Sequence, residues 1–401
     1  MVFLANLVLI LLATTLAGHY CARIGLPAVL GQLLVGVIIG PAILGWVTMT
    51  DFIHDMSELG VIILMFLAGL ESDLDLLKRY LKPSVLVAAL GILVPAASST
   101  AVALAFGLSM MESIFIGVLF AATSVSISVA VMKELGVLSG KGGATILGAA
   151  VIDDVVAVIL LSVMVSMIGG SSEGSASLGL TLLEQLLYFI SIFFVVRYIA
   201  PFLARLGKRL LLPVGPTLLA MILCLGMAYI ADLAGLSAVV GAFFAGIAIG
   251  QTSVRHEVNQ SIEPIGYAVF IPVFFVSIGL NMRFDGISSQ LWLIVIMSVV
   301  AVLSKLLGAG CGAKLANFSL GESAFVGAGM ISRGEMALII AQVGYQSQLI
   351  KTDTYSALVT VIIITTLVAP YIIFSAVSYC QSPSVILGKS HCGLVSTLQS
   401  L

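Results

Sequence analysis

The first half of the chain contains the nine-residue run Ala149-Ala150-Val151-Ile152-Asp153-Asp154-Val155-Val156-Ala157. Two adjacent carboxylates stand there in the middle of an apolar run that extends over residues 142–168. Placing an ionisable side chain at the centre of a bilayer costs roughly 2.5 to 3.5 kcal/mol even on a lenient insertion scale. The pair therefore indicates a membrane helix whose carboxylates have a partner or a task inside the membrane.

The composition of the whole chain supports this interpretation. Of the 401 residues, 60% are hydrophobic and only 9% are charged, and the mean hydropathy is +1.22. A soluble core could not bury so much apolar surface. The net charge is -2 and no basic patch is present, so nothing indicates binding to nucleic acid. No stretch is left over for a soluble catalytic domain.

Apolar runs follow one another along nearly the whole chain, and each can cross about 30 Å of hydrocarbon. Reading them between Gly, Pro and charged residues predicts thirteen membrane helices, with a Gly/Ser-rich break at residues 169–174. The spans lie near residues 3–22, 27–45, 54–71, 83–107, 112–133, 142–168, 180–203, 214–233, 236–251, 261–281, 290–313, 321–345 and 355–379. The predicted fold class is an all-α polytopic membrane protein.

Lysine and arginine residues predict the orientation, because short cytoplasmic loops retain positive charge whereas translocated loops carry little. One set of alternate loops holds only Arg283 and Lys351, and Arg197 lies just inside a helix end on the opposite side. The cations of that opposite side are Arg23, Lys78, Arg79, Lys82, Lys133, Lys141, Arg205, Lys208, Arg209, Arg255, Lys314 and Lys389. The asymmetry predicts an external N-terminus and a cytoplasmic C-terminus, which requires an odd number of spans.

An internal repeat connects the two halves of the chain. The run Gly25-Leu26-Pro27-Ala28-Val29-Leu30-Gly31 corresponds to Gly235-Leu236-Ser237-Ala238-Val239-Val240-Gly241. We call the spacing between Gly31 and Gly241 the repeat offset; at the same offset Gly69-Leu70 corresponds to Gly279-Leu280. Seven spans separate equivalent positions, so the second half enters the membrane from the opposite side. This pattern predicts two inverted six-helix repeats joined by a linker helix, an arrangement typical of secondary transporters.

The other charges inside predicted spans are Lys305, Arg333 and Glu335. Adjacent helical residues point about 100° apart, so Asp153 and Asp154 cannot serve one partner equally well. We expect one carboxylate to neutralise Lys305 and the other to face a water-filled cavity, where it can bind a proton or a small cation. Competition between the two would produce exchange. The alternative is an ion cluster that only holds helices together, although two carboxylates with one lysine leave excess negative charge.

Two predicted helices contain sequences that favour an interruption, at 121–128 and at 327–335. Both runs are rich in Gly, Ser, Thr or Ala and occupy equivalent places in the two halves. A broken helix at membrane depth needs protein or water partners for its free backbone groups. We expect Glu335 to compensate a positive half-helix end and Arg333 a negative one. The alternative is an ordinary Ser-rich packing face.

Taken together, these motifs resemble the cation/proton antiporter superfamily, and within it the bacterial sodium/proton exchangers of the NapA type. The resemblance rests on the Asp153-Asp154 pair, Lys305, the Thr123-Ser124-Val125-Ser126 run and Ser332-Arg333-Gly334-Glu335. It implies that Asp154 binds sodium and that Asp153 forms a salt bridge with Lys305 when the site is empty. It also implies that Thr123 and Ser124 lie at the helix crossing beside the site.

The resemblance further implies how the chain is organised. A single transmembrane antiporter domain would span residues 1–380, and the tail at 381–401 is expected to be disordered. Core helices at 83–168 and 290–379 would move against scaffold helices at 3–71 and 214–281, with a linker helix at 180–203. The scaffold would form a homodimer in the lipid of a bacterial inner membrane. The Asp-Asp pair resembles the electrogenic subgroup, and no cofactor or nucleotide-binding regulatory domain is expected.

Other functions stay open at this point. Potassium could replace sodium in the same fold, because oxygen ligands discriminate between the two through a cavity size that the sequence does not reveal. A membrane aspartyl protease would place its aspartates on different helices, whereas these are neighbours, so we do not expect an enzyme. An organic-anion/sodium symporter would need a cationic pocket, and apart from Lys305 and Arg333 none is visible.

Overall fold

The computed structural model describes residues 2–24, 26–72, 74–169, 174–212, 214–281, 290–346 and 348–381. Every regular element within these ranges is a helix, so the predicted all-α fold class is confirmed. Residues 170–173 of the predicted break and residues 382–401 of the predicted tail lie outside the described residues, as do Gly25, Arg283 and Lys389.

The helices are numbered in chain order, and two of them continue into short π-helical segments. They are α1 (Val2–Arg23), α2 (Ala28–Ile39), α3 (Asp51–Glu71), α4 (Leu74–Arg79), α5 (Leu81–Ala105), α6 (Met110–Ala121), α7 (Val125–Glu134), α8 (Lys141–Gly169), α9 (Gly174–Phe194), α10 (Ala200–Arg209), α11 (Gly215–Leu233), α12 (Ala238–Gly250), α13 (Arg255–Ile265), α14 (Ile271–Leu280), α15 (Leu291–Leu315), α16 (Leu320–Gly329), α17 (Gly334–Gln346) and α18 (Thr352–Gln381). The π-helical segments Val195–Ile199 and Gly266–Phe270 join α9 to α10 and α13 to α14.

A helix occupies each of the predicted span positions. Within the described residues, nine helices are long and apolar enough to cross a membrane, and shorter apolar helices lie between them. The total number of spans stays a prediction. The bounds differ by several residues at some helices, as at α2, which ends at Ile39 rather than near residue 45, and at α13, which begins at Arg255 rather than near residue 261. Hydropathy marks only the apolar part of a helix, and the polar turns around Arg255 continue the helix beyond it.

The positions of several helices in the first half recur in the second half at the repeat offset. Leu81–Ala105 and Leu291–Leu315 have the same length and correspond residue for residue at the repeat offset. The interrupted pair α6–α7 likewise corresponds to α16–α17. The prediction that both of these spans are broken is therefore confirmed, whereas the inverted orientation of the two halves in a membrane stays a prediction.

One compact unit comprises Met1–Leu12, Met49–Leu74 and Gly169–Ser277. Within it α3 and α12 pack backbone against backbone. A Cβ added to Gly69 would lie 2.1 Å from the carbonyl oxygen of Phe243, and one added to Gly246 would lie 2.1 Å from that of Phe66. Only glycine permits this approach, and small residues at helix contacts are typical of membrane proteins, where lipid provides no hydrophobic drive for helix association.

The second compact unit comprises Ala13–Thr48, Asp75–Ile168 and Ile278–Leu401, and it contains both broken helices. In this unit α15 packs closely against α5. A Cβ on Gly308 would lie 2.6 Å from the carbonyl oxygen of Leu90, and one on Gly312 would lie 2.6 Å from that of Leu86. The scaffold and core ranges implied by the resemblance stay a prediction.

Candidate ion-binding site

The two broken helices meet where each is interrupted. Helix α6 ends at Ala121 and α7 begins at Val125, while α16 ends at Gly329 and α17 begins at Gly334. The amide of Ser124 donates to the carbonyl oxygen of Ser332 at 2.8 Å. The hydroxyl of Ser332 in turn donates to the carbonyl oxygen of Ser124 at 2.5 Å.

These contacts explain why the interruptions are tolerated at membrane depth. Backbone groups released from a helix must find partners inside the protein or in water, because the hydrocarbon offers none. Ser124 and Ser332 supply partners to each other, and the hydroxyls of Ser128 and Ser332 lie 3.0 Å apart. Gly334 leaves room for this contact, since a Cβ there would lie 2.4 Å from Ser124 Oγ. The serines and glycine of the predicted breaks thus form the crossing itself.

Lys305 is fully buried and donates to three oxygens from three helices. Its Nζ lies 2.7 Å from the carbonyl oxygen of Gly91 on α5 and 2.6 Å from that of Ala121 at the end of α6. The third acceptor is Asp153 Oδ2 on α8, at 2.9 Å. An ammonium group has three protons, so these contacts use its full donor capacity.

Helix packing explains how Lys305 reaches these acceptors. Lys305 lies one turn before Gly308 and two turns before Gly312, the two glycines that bring α15 against α5. This Gly-x-x-x-Gly spacing is a recognised signal for close approach of membrane helices. The spacing marks the face of α15 that packs closely against a neighbour, but it does not identify the acceptor. The contact with the backbone of Gly91 was therefore not predicted.

Asp153 is buried on α8, with 1% of its surface exposed. Its Oδ2 accepts from Lys305 and also from the hydroxyl of Thr123, which lies in the break between α6 and α7. Its Oδ1 is buried without a hydrogen-bond partner among the described residues. That oxygen is consequently an acceptor that a proton or a cation can use.

Asp154 is the next residue on the same helix and is 8% exposed. It also makes an interaction within the protein. Because successive helical side chains point about 100° apart, its carboxylate faces a different direction from that of Asp153. Three hydrogen bonds of Lys305 go to Gly91, Ala121 and Asp153. The two carboxylates therefore lie in different electrostatic surroundings.

Arg333 is the second buried cation and lies immediately before α17. Its Nε and Nη2 donate to the carbonyl oxygen of Phe120 at 3.1 and 2.9 Å. Nη1 donates to the carbonyl oxygen of Ile331 at 2.9 Å, and Nη2 also reaches that of Ala301 at 2.9 Å. The guanidinium carbon lies 5.4 Å from the centre of the Phe120 ring. All four hydrogen bonds go to backbone oxygens.

Phe120 and Ala121 end α6, and the last carbonyls of a helix have no partner within the helix and carry partial negative charge. Both buried cations donate to these carbonyls. Compensation of a negative helix end was predicted only for Arg333, and Lys305 was predicted to pair with a carboxylate. In the structure Lys305 contacts both the carboxylate and the helix end.

The structure brings together Asp153, Thr123 and Lys305, with Ser124 and Arg333 at the adjoining crossing. Asp154 shares α8 with Asp153. Glu335 lies in the first turn of α17, but its side chain falls outside the described part of the protein. Its expected compensation of a positive helix end stays a prediction.

Comparison with known proteins shows the family of the chain. The family model described as "Sodium/hydrogen exchanger, transmembrane" matches residues 7–378. An Na(+)/H(+) antiporter of Enterococcus hirae is 54% identical over 373 residues, which cover 93% of this chain and 97% of the relative. The Na(+)/H(+)-K(+) antiporter GerN of Bacillus cereus is 44% identical over 368 residues, which cover 92% of this chain and 94% of GerN.

A solved structure gives a likeness in fold. The sodium proton antiporter MjNhaP1 from Methanocaldococcus jannaschii superposes with a TM-score of 0.59, covering 98% of both chains at 17% sequence identity. At that identity the match shows the fold alone.

Proposed function

Because the chain belongs to the sodium/hydrogen exchanger family, we propose that it exchanges sodium ions for protons across a membrane. The proposal rests on a difference between the surroundings of two adjacent buried carboxylates, Asp153 and Asp154. Lys305 directs its three protons to Asp153 and two backbone carbonyls. Asp154, on the same helix but facing a different direction, is a second buried carboxylate that can bind a proton or a monovalent cation.

Exchange follows when the two ligands compete for Asp154. Sodium binds to the ionised carboxylate, and a proton must leave before the cation enters. Binding of sodium therefore requires release of the proton, and binding of the proton requires release of sodium. Asp153 Oδ1 and the hydroxyl of Thr123 are the nearby oxygens suited to a small hard cation, which prefers oxygen ligands. Alternating exposure of this site to the two sides would couple the two gradients.

The test is an exchange assay on the purified protein in proteoliposomes that contain a pH-sensitive dye. Addition of sodium or lithium should move protons in the opposite direction at once. Liposomes prepared without protein provide the control for leakage. A protein that gives no proton movement with either ion would contradict the proposal.

Potassium is the second candidate ion, and a specific observation favours testing it. GerN, which resembles this chain over most of its length, is described as an Na(+)/H(+)-K(+) antiporter. The same assay with potassium in place of sodium separates the cases. A response to potassium alone would replace sodium as the substrate, and responses to both would extend the substrate range.

We further propose that the exchange is electrogenic, with more protons than sodium ions moved per turnover, because the site contains two carboxylates rather than one. An imposed membrane potential should then change the initial exchange rate. A rate that is the same with and without the potential would indicate electroneutral exchange.

We also propose a membrane location, an orientation and an oligomeric state for the protein. It is a multi-pass membrane protein, and the apolar spans together with the cation asymmetry of the loops favour a bacterial inner membrane with the N-terminus outside and the C-terminus in the cytoplasm. The family resemblance favours a homodimer that works as a transporter, without an enzymatic activity or a cofactor. Cross-linking in membranes would test the dimer.

A further inference from the structure

Helix α2 begins at a residue that cannot cap it. The N-cap residue is Pro27, whose side chain has no hydrogen-bonding atom. The first amides of a helix have no partner within the helix, and a polar side chain at the N-cap usually satisfies one of them. Here the acceptor comes from another helix, because Glu134 Oε1 at the end of α7 accepts from the amide of Ala28 at 2.7 Å. The amide of Val29 also interacts with this carboxylate. A side chain of α7 therefore caps α2.

The corresponding helix of the second half is capped by its own residue. At the repeat offset Pro27 corresponds to Ser237, whose hydroxyl accepts from the amide of Val239 at 3.3 Å at the start of α12. The two N-cap residues have similar backbone conformations, with φ −55° and ψ 134° at Pro27 and φ −65° and ψ 135° at Ser237. Glu134 corresponds to Gly344, which has no side chain. The first half thus has a contact between two helices where the second half has an internal cap.

Helix α7 connects this cap to the candidate ion-binding site. It begins at Val125, directly after Ser124 at the helix crossing, and it ends at Glu134. An α-helix rises about 1.5 Å per residue, so the two ends of α7 lie about 15 Å apart. Residues 125–132 are all buried. A short, buried helix moves as one body, so a contact at its far end restrains the position of the crossing.

The cap joins two helices that are expected to move relative to each other. Helix α2 is an expected scaffold helix and α7 an expected core helix, and both lie in the second compact unit. Helix α2 also packs against α18, another expected core helix, through the apolar side chains of Val37, Val359 and Ile363. Apolar side chains can slide past one another, whereas a hydrogen bond weakens steeply when its geometry changes. The contact between Glu134 and Ala28 is therefore sensitive to the position of α7 along α2.

The predicted topology places the cap at the cytoplasmic end of the two helices. Arg23, before α2, and Lys133, beside Glu134, belong to the cations assigned to that side. The hydrogen bond is exposed, so water can replace either partner and the bond can break and form again. Cys21 on α1 is 7% exposed, and its thiol interacts electrostatically with Glu134. Movement of Glu134 away from α2 would open a path from the cytoplasm to this thiol.

We propose that Glu134 is a positioning residue that holds α7 against α2 while the cytoplasmic end of the transport path is closed, and that it leaves α2 when this end opens. The cap stabilises the closed state, and in the open state water takes its place at the first amides of α2. This inference rests on the proposed exchange function, since it requires a protein that alternates between two states. A cap that only completed α2 would stay formed in both states.

Substitutions at Glu134 and Pro27 distinguish these two roles in a full chain that keeps Cys21 as its only cysteine. A membrane-impermeant maleimide is added to the cytoplasmic face of inside-out vesicles. Glu134→Ala should speed the labelling of Cys21 about fivefold, because the open state becomes more populated, and should lower the melting temperature in detergent. Adding Pro27→Ser should give α2 a cap like that of Ser237, and so restore the melting temperature without slowing the labelling.

The same comparison can contradict the proposal. Unchanged labelling in Glu134→Ala would overturn it. Restoration of both the melting temperature and the slow labelling by Pro27→Ser would show that Glu134 only completes α2, and would also overturn it. Glu257→Ala, at an exposed carboxylate of α13, is the matched control and should leave the labelling unchanged.

Cross-linking tests whether the contact has to open. Glu134→Cys with Ala28→Cys, in a chain whose five native cysteines are replaced, should be joined by a short bifunctional thiol reagent and should then lose sodium-driven proton movement in proteoliposomes. Ser57→Cys with Ser277→Cys is the control, because their hydroxyls lie 2.7 Å apart on two expected scaffold helices, and linkage there should leave exchange unchanged.

A pair at positions 134 and 28 that is not joined, or that is joined and exchanges at the full rate, would overturn the inference. Absence of exchange in the parent protein would count against the proposed function instead. The labelling of Cys21 would still decide the role of Glu134 in that case, because it does not depend on ion movement.

Discussion

Lys305 and Asp153 form a fully buried ion pair, with Nζ 2.9 Å from Oδ2, at the point where two broken helices cross. The same ammonium donates to the last carbonyl of α6, so a single side chain connects a carboxylate on α8 to the negative end of a half-helix. The pair is therefore part of the crossing, and changes at Asp153 act on the backbone of the broken helix through Lys305.

Removing the charge at Lys305 should lower stability. In Lys305→Gln, Asp153 would be left buried with Thr123 as its remaining donor, and breaking a buried pair from one side costs about 3 to 5 kcal/mol. We expect a clearly lower melting temperature in detergent, together with a change in the dependence of exchange on membrane potential. Lys314→Gln, at the end of the same helix, is the control.

A double variant distinguishes the effect of an unbalanced buried charge from the effect of the lost contact between Lys305 and Asp153. Asp153→Asn combined with Lys305→Gln leaves no unpaired buried charge, so it should be more stable than Lys305→Gln alone. A double variant that melts below both single variants would show that the pair does not account for the stability.

Arg333 is expected to be a structural residue of the crossing. Arg333→Gln would remove donors from the carbonyls of Phe120, Ile331 and Ala301, and each buried acceptor left without a donor costs about 1 to 3 kcal/mol. We predict a large decrease in melting temperature, measured beside Arg209→Gln at an exposed position. Equal melting of the two variants would argue against the helix-end role.

The close contact at the crossing gives a prediction about exchange. In Gly334→Ala the new Cβ would lie 2.7 Å from Ser124 Cβ, too close for either helix break to keep its position. Exchange should decrease at least about tenfold, since displacement of site groups by about 1 Å can cost a hundredfold in rate. Adding Ser124→Gly should restore part of it by removing the clash. Gly226→Ala, which has open space for a Cβ, should leave exchange unchanged; a similar loss there would contradict the explanation.

The sequence was sufficient to predict the features that depend on local pattern. Apolar runs predicted the helices, and the Gly- and Ser-rich stretches at 121–128 and 327–335 predicted the two breaks. Both features arise because lipid forces backbone groups to be satisfied within the protein. A contact between Lys305 and one of the two carboxylates was expected because a buried lysine requires an acceptor, and the family resemblance implied that this carboxylate is Asp153.

Features that depend on packing between distant helices were not predictable in the same way. The contacts of Lys305 with Gly91 and Ala121, and those of Arg333 with Phe120 and Ala301, involve backbone oxygens that every residue possesses. No residue type marks such an acceptor in a sequence. Helix ends such as Arg255 were misplaced because polar turns extend a helix without extending its hydropathy.

Sodium-driven proton movement by Asp154→Asn in proteoliposomes, measured beside the parent protein, tests whether Asp154 is the ion-binding carboxylate. The substitution removes the charge and keeps the shape, so the variant should fold, elute as the parent does in size-exclusion chromatography and melt at a similar temperature. We predict that its exchange falls to the rate of protein-free liposomes. Exchange at the full parental rate in a folded Asp154→Asn protein would contradict the assignment of the ion-binding carboxylate.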